Sequence, residues 1–555
     1  MATISLCMIV RDEESLLPAC LASVAGAVDE IVVVDTGSKD ATIALARAAG
    51  ARVFEQAWSD DFSAPRNRAI AECGCDWVLV LDADERLTQG AREALRRAVA
   101  EDDFDCGMLR LSTATRLDAE IDAVARGTCR VGDAAYLPRL MRRTPDLRFT
   151  GIVHENVGEW LFSNGRRPKL LPSVDIVHLG AVPDLRALRD KSRRNIRLLE
   201  RACAETPNDV APYGYLAHEY FDAGDRARAR EVADRGWAVL VGGAKTLDLP
   251  ALRLVTARAW LEVQAGEPNA ALETMAVATR LLADHPDVFF IRGCASEMVA
   301  LQCATELQRR DYLEAALVDY VAAIGCVSGV YLQKFIEGGA GWAAQIRRGT
   351  VLLLLGREVE ALAAFDCALA ENATACEARW GRVEALLACG ETTKALREVT
   401  SQLDDKPDGW TLAALAAEAA GSFDAMGQWL AKAQSLLGGG FVAPHRRERY
   451  HDALVALGSF LDRPVSAPGP LGQLAELASG GTTAVTGAMA RGLRCPITRG
   501  TARRLVAHWL RAGKLDKVER LVEPAAERLL PGILALTTAV VDELTDSRDR
   551  GGPRP

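Results

Sequence analysis

Two hydrophobic rhythms divide the chain. Through residues 1 to about 180, short Val/Ile/Leu runs alternate with segments whose apolar residues recur every three to four positions. Ile4–Val10 reads as a strand, and Glu14–Ala25 as a helix with Leu16, Leu17, Cys20, Leu21 and Val24 on one side. Ile31–Val34 is a second strand, and Ala41–Ala49 a helix that Gly50 ends. Val53–Phe54 makes a short third strand, Ala64–Cys73 a helix, and Trp77–Leu81 a fourth strand that runs into Asp82. Uninterrupted apolar strands joined by helical crossovers predict a mostly parallel sheet covered on both faces. Such sheets bind ligands beyond the carboxyl ends of their strands, so chemistry is expected just after Val10, Val34 and Leu81.

From about Pro207 the pattern turns almost wholly helical, rich in Ala and Leu, with glycines at the turns. Gly224 as a turn between paired helices places Tyr213, Leu216, Ala217, Tyr220 and Ala229 at the core positions of a tetratricopeptide-like unit. Gly266 does the same for Ala259, Ala271 and Ala278, and Gly356 for Gly349, Ala361, Phe365 and Ala368. Gly390, which places Leu386 and Ala395, follows Gly356 by 34 residues, the period of that repeat. Val288 to Ala340 is less regular, and beyond about Gly438 the repeats fade. Pro464–Pro470 reads as a linker, Thr501–Arg528 as one more helix pair around Gly513, and Ser547–Pro555 as a disordered tail. The expected organisation is an α/β domain over 1–200, helical repeats over 207–437, a C-terminal helical region over 438–546 and a tail over 547–555.

Composition removes several classes of function. The 555 residues exceed one hydrophobic core, and 49% hydrophobic with 25% charged residues is ordinary for globular proteins. A net charge of -9 with no basic cluster argues against nucleic acid as a partner. No apolar stretch approaches the roughly 20 residues that a bilayer crossing needs. The first apolar run is followed at once by Arg11, Asp12, Glu13 and Glu14, the pattern of a strand entering a loop rather than of a signal peptide. The 14 cysteines sit singly (Cys20, Cys203, Cys303, Cys367), apart from Cys73 and Cys75, and read as small buried apolar residues of a cytoplasmic protein.

Three segments carry candidate chemistry. In Leu79-Val80-Leu81-Asp82-Ala83-Asp84-Glu85, a buried strand ends in alternating carboxylates. Alternate residues of an extended segment point the same way, so Asp82 and Asp84 could share a hard divalent cation that bridges a diphosphate. The competing reading is a strand end decorated with solvated acids. Asp35, in Val34-Asp35-Thr36-Gly37-Ser38-Lys39-Asp40, stands at a strand tip, where it could accept hydrogen bonds from a nucleobase or ribose. The same segment also reads as a turn and a helix cap formed by Asp40 or Ser38. Arg66 lies near a helix start in Trp58–Arg68, a place that favours phosphate; a solvated charged loop is the alternative.

In this order, Cys7-Met8-Ile9-Val10-Arg11-Asp12-Glu13-Glu14, Asp35-Thr36-Gly37-Ser38, Asp60-Asp61-Phe62-Ser63-Ala64-Pro65-Arg66-Asn67 and Leu81-Asp82-Ala83-Asp84-Glu85 resemble family 2 glycosyltransferases of the GT-A fold. Phe149-Thr150-Gly151-Ile152-Val153-His154-Glu155 and Ile176-Val177-His178-Leu179-Gly180 extend the resemblance over the first ~200 residues, with six ordered motifs. The chain looks closest to the branch that appends tetratricopeptide-like helices, which includes the glycosyltransferases of glycosylated bacteriocins and of flagellin.

The resemblance implies a UDP-sugar donor, a divalent cation (Mn²⁺ or Mg²⁺) and inversion at the anomeric carbon. It also implies residue roles: Asp35 at the uracil or ribose edge, with Arg11 and Glu13 at the same rim; Asp82 toward ribose and metal; Asp84 on the metal; His178 on the metal or diphosphate; and Glu155 as general base. Asp12 and Lys39 depart from the family's usual Asn and Thr, which puts nucleotide preference in doubt. His154 and His178 could instead be core histidines, and Glu155 could pair with Arg139, Arg142 or Arg148. His218, His285, His445, His451 and His508 read as surface or packing residues.

The helical arm suits a protein or peptide acceptor, because stacked helix pairs form an extended concave surface. A saccharide or lipid-linked glycan of the cell envelope is the alternative acceptor. A repeat scaffold with an inactive head is the alternative of another class.

Overall fold

The computed structural model describes residues 2–163, 165–180, 182, 191–243, 248–303, 305–326, 334–404, 406–436 and 457. The expected linker at 464–470, the helix pair at 501–528, the tail at 547–555 and the last three histidines lie outside the described residues. The chain divides into two compact units, Met1–Ala295 with Gly325–Gly339, and Ser296–Ile324 with Ala340–Pro555.

The first unit is built on an eight-stranded sheet. Its strands are β1 (Ile4–Val10), β2 (Glu30–Asp35), β3 (Arg52–Glu55), β4 (Trp77–Val80), β5 (Glu85–Leu87), β6 (Cys106–Ala114), β7 (Arg130–Arg142) and β8 (Pro168–His178), in the order β3-β2-β1-β4-β7-β6-β8-β5. The first four strands are parallel, as their apolar runs predict. Beyond β4 the sheet is mixed, because β7 runs antiparallel to both β4 and β6, and β5 antiparallel to β8. The expectation of a mostly parallel sheet therefore holds for its first half only.

Alternation along β1 divides two cores. Ile4, Leu6, Met8 and Val10 pack with Leu17 and Leu21 of α1 (Leu17–Ser23), and Cys7 with Ala69 and Ile70 of α3 (Ser63–Glu72). Between them in sequence lies α2 (Thr42–Ala48), which ends before Gly50 as expected.

Helix pairs begin within this same unit. Val210–Asp222 pairs with Arg226–Val241 around Gly224, and Asp248–Ala265 with Pro268–Leu281 around Gly266; both glycines have positive φ (82° and 78°). The predicted core positions Tyr213, Leu216, Ala217, Tyr220, Ala229, Ala259, Ala271 and Ala278 are all buried. An apolar core joins these helices to loops of the sheet, Tyr213, Leu216 and Leu254 packing with Val153, Trp58 and Phe62. The second unit contains Trp342–Leu354 with Glu358–Glu371 around Gly356, and Cys376–Ala388 with Thr392–Thr400 around Gly390. It also contains a pair that the glycine frame did not include, Pro407–Ala419 with Phe423–Ser435 around Gly421.

Among the described cysteines, Cys20 and Cys203 are buried as expected, but Cys303 is half-buried and Cys367 exposed; all are free thiols. Among the described residues, no helix is long and apolar enough to cross a membrane.

Candidate active site

The loops after β1 and β2 are stitched together by reciprocal bonds. The Asp12 amide donates to Ser38 Oγ at 2.9 Å, and the Lys39 amide returns a bond to Asp12 Oδ1 at 2.8 Å. The Glu13 amide donates to Thr42 Oγ1 at 2.7 Å. Asp12 has φ 52°, a left-handed conformation that Asp and Asn enter more readily than other side chains, so the departure from Asn keeps the backbone requirement satisfied.

Asp35 is 1% exposed. Its Oδ2 accepts the amides of Gly37 (2.8 Å) and Ser38 (2.9 Å), and its Oδ1 accepts the Ser38 hydroxyl. Ser38 is thus tied to Asp35 and Asp12 and does not cap α2; Asp40 Oδ1 accepts the Thr42 amide at 3.0 Å instead.

After β4 the chain does not stay extended. The Glu85 amide donates to the Asp82 carbonyl at 3.0 Å, so Asp82 and Asp84 stand on a turn rather than on alternate positions of a strand. What brings Asp84 to His178 is the β5–β8 ladder, in which Glu85 faces His178 and the Leu179 amide donates to the Asp84 carbonyl at 2.9 Å. His178 Nε2 lies 3.8 Å from Asp84 Oδ2, and Lys191 Nζ 3.5 Å from the same oxygen. Burial holds the His178 pKa below the ordinary histidine value despite Asp84 nearby.

Two arginines and three carboxylates form a cluster beside this pair. Arg66, from α3, is 4% exposed; its Nε and Nη2 donate to Glu155 Oε1 at 3.1 and 2.8 Å, and Nη2 also reaches Asp82 Oδ1 at 3.2 Å. Arg139, from β7, donates to Glu85 Oε1 and, at 3.4 Å, to Asp82 Oδ2. Enclosure by protein opposes ionisation of Asp82, but Arg66 and Arg139 outweigh it and hold its carboxyl well below the usual range. Glu85 is the opposite case: burial pushes it up to about 8 against the pull of Arg139. The partner of Glu155 is therefore Arg66, not Arg139, Arg142 or Arg148.

Arg11, Glu13, Arg66, Asp82, Asp84, Glu155 and His178 all line one cavity of about 460 Å³ at the carboxyl ends of β1 and β4. Asp35 is not in that lining; its neighbour Thr36 is. Among the described residues, no cluster of three His, Cys, Asp or Glu surrounds a single point. Asp84 and His178 nevertheless fit a divalent cation. Their 3.8 Å separation falls in the span of about 3–4 Å open to two ligands of one ion at about 2.1 Å. Mg²⁺ sites commonly use one or two carboxylates and draw further ligands from substrate phosphates. Lys191 Nζ, 3.5 Å from the same Asp84 oxygen, would give way to the ion, and Asp82 fits less well, because guanidinium groups face both of its oxygens.

The cavity's other wall includes His154, which one motif contains, and three residues that the motifs did not signal. Lys191, Arg194 and Asn195 come from the helix Lys191–Glu205, and His154 from the loop before Glu155. His154 has φ 53° and stacks on Tyr215 with ring centroids 4.0 Å apart. Arg253 lies 4.2 Å from the Tyr215 centroid and 4.5 Å from that of Phe335. Both groups cannot occupy one face of Tyr215 at these distances, so the ring is sandwiched between them. Tyr215 is only partly buried against the repeat core and is not one of the core positions that the glycine frame set.

Burial, with the Arg253 charge nearby, lowers the pKa of His154 to about 4 and that of His218 to about 3. Both values lie below the unfolded value of about 6.5, so the unfolded chain binds more protons in mild acid. The stability that these neutral imidazoles carry is complete above about pH 6.5 and falls as pH drops, by about 1.4 kcal/mol per pH unit for each histidine. Thermal unfolding followed from pH 7.5 to pH 5 should show a steady fall in Tm that the double variant His154→Asn/His218→Asn flattens. A level wild-type profile would contradict the burial.

Residues 5–115 match the family described as Glycosyl transferase family 2. The TPR repeat-containing protein Synpcc7942_0270 of Synechococcus elongatus is 39% identical over 243 residues, covering 42% of this chain and 57% of that protein. The SPbeta prophage-derived glycosyltransferase SunS of Bacillus subtilis is 25% identical over 213 residues, covering 37% of this chain and 46% of that protein. The uncharacterized glycosyltransferase RT0209 of Rickettsia typhi is 33% identical over 105 residues, covering 19% and 36% respectively. The chain thus spans between about a third and somewhat over half of the length of these relatives.

Proposed function

Because the α/β domain belongs to the family 2 glycosyltransferases and runs into tetratricopeptide-like helices, we propose that this chain moves a sugar from a nucleotide donor, UDP by preference, to a protein or peptide acceptor with inversion. The observation that carries the reading is the single cavity in which Asp84, His178, Arg66, Asp82 and Glu155 meet beyond β1 and β4.

Arg11, Glu13 and Thr36 form the rim for the nucleoside, and Asp35 acts indirectly, by fixing the turn that carries Thr36. Asp84 and His178 would hold a divalent cation, which supplies positive charge opposite the diphosphate leaving group. Arg66 anchors Glu155 through Oε1 alone, which leaves Oε2 to take the acceptor's proton. The acceptor oxygen then forms its bond to the anomeric carbon as the carbon–oxygen bond to the diphosphate breaks, and the bonding pair leaves with the nucleotide.

Labelled UDP-sugars incubated with the full chain and a whole-cell lysate test the acceptor. Label is expected in a protein band; label confined to the lipid or polysaccharide fraction would replace this reading with envelope glycan synthesis.

Gly180 provides a narrower test. A Cβ there would sit 2.0 Å from Asp84 Oδ2 and 2.7 Å from His178 Nε2. Gly180→Ala must therefore displace the Asp84 carboxylate, and transfer should fall by about 100-fold while the far-UV circular dichroism stays unchanged. Undiminished turnover would separate Asp84 from catalysis.

A further inference from the structure

We propose that a second chamber, next to the donor cavity, receives the acceptor and is built for an uncharged hydroxyl or carboxamide side chain of a polypeptide. This rests on the reading of the first cavity as a sugar-transfer site. The chamber, of about 510 Å³, shares Arg66, Asp82, His154 and Glu155 with the donor cavity as a common wall. Its far wall is Tyr215, His218, Glu219 and Arg253, all from helices of the first repeats. Glu155 stands in the wall that the two cavities share, so a group held in the chamber lies beside the proposed base.

The wall holds an unusual set of unsatisfied atoms. Arg66 Nη1, Arg139 Nε, His154 Nε2, His218 Nε2 and Glu219 Oε2 are buried without a hydrogen-bond partner. Native proteins leave few such groups, so water or a ligand group drawn in between these side chains would complete their bonding. The arginine atoms donate, the glutamate oxygen accepts, and a neutral imidazole nitrogen does either.

Ligand class follows from that mixture. Hydroxyl and carboxamide groups both donate and accept, whereas a thiol does each only weakly and would leave the wall unsatisfied. Three arginines and four carboxylates line the chamber, so near balance of charge gives a charged acceptor little preference. A sugar ring finds no open aromatic platform, since His154 and Arg253 cover Tyr215 and Arg66 lies over Phe149.

The test uses N-acetylserine methylamide, its asparagine and cysteine counterparts, and methyl glucoside, each titrated into the full chain and followed by ligand-observed NMR. The serine or asparagine compound should bind at least about tenfold more tightly than the cysteine compound. His218→Trp, which fills the chamber, and Glu219→Gln, which replaces the unsatisfied acceptor with a donor, should each weaken that binding by about tenfold or more. Glu219→Gln carries the test if the tryptophan variant fails to fold. Equal binding of the cysteine compound, tighter binding of the glucoside, or indifference to both variants would overturn the proposal. Calorimetry with UDP on the wild-type chain separates the two levels: absent UDP binding contradicts the donor reading, whereas UDP binding without binding of the small compounds contradicts the chamber alone.

Discussion

Replacing Asp84 by alanine is expected to reduce sugar transfer by about 10³-fold or more, equivalent to about 4 kcal/mol of transition-state stabilisation. Asp84 is 5% exposed and is reached by both His178 and Lys191, which places the only carboxylate of this pair at the floor of the donor cavity. On the proposed reading, Asp84 would hold the cation that faces the diphosphate, and the variant would lose it. The fold should survive, because Asp84 lies on a turn whose backbone bonds, from Leu179 and Glu85, do not use its side chain. Asp84→Asn keeps the shape and loses the charge, so it should fall nearly as far. Full turnover in either variant, with label transfer as readout, would remove Asp84 from the mechanism.

Arg66→Ala should affect both stability and activity. One guanidinium joins Asp82 to Glu155, and its loss takes the bonded charge from Glu155 and from the part-exposed Asp82, while Arg139 stays on Asp82 and Glu85. Breaking a fully buried pair by removing one partner costs about 3–5 kcal/mol, and solvent around Asp82 brings the cost here toward the lower end, about 3 kcal/mol. The unfolding transition of the first unit should then drop by about 10 °C. Arg66→Lys restores one positive charge but not the fork that bonds two carboxylates, so stability should recover in part and transfer hardly at all. Calorimetric scans of the three proteins check this, and an unshifted transition in Arg66→Ala would mean the cluster is not bonded as described.

Much of the first half of the sheet was legible because β1, β2 and β4 are continuous apolar runs ended by polar residues. The second half was not. Strand β7 carries Pro138 in its interior, and the β6–β7 ladder slips between Gly107 and Met108 and again between Leu111 and Thr113. Bulged strands lose the simple alternation on which pattern reading depends.

The site divides the same way. Strand tips announced Arg11, Glu13, Asp82 and Asp84, since polar residues that follow a buried strand must face a loop or ligand. Partner choice across long separations was hidden: Glu155 meets Arg66, 89 residues away, and bypasses the arginines nearer in sequence. Asp35 resembled a ligand-binding acid, yet its carboxylate is occupied by its own turn. His218, read as a surface or packing residue, lines the second chamber. Its role depends on which helix faces the loop at His154, and helical periodicity cannot give that.

Calorimetric titration of UDP into the full chain, with Mn²⁺ and then with excess chelator, tests the central claim most directly. The account predicts a Kd of about 1–100 μM with the ion, weakened about tenfold or more by chelator and by Asp84→Ala. No heat with UDP, or binding indifferent to both the ion and Asp84, would contradict it.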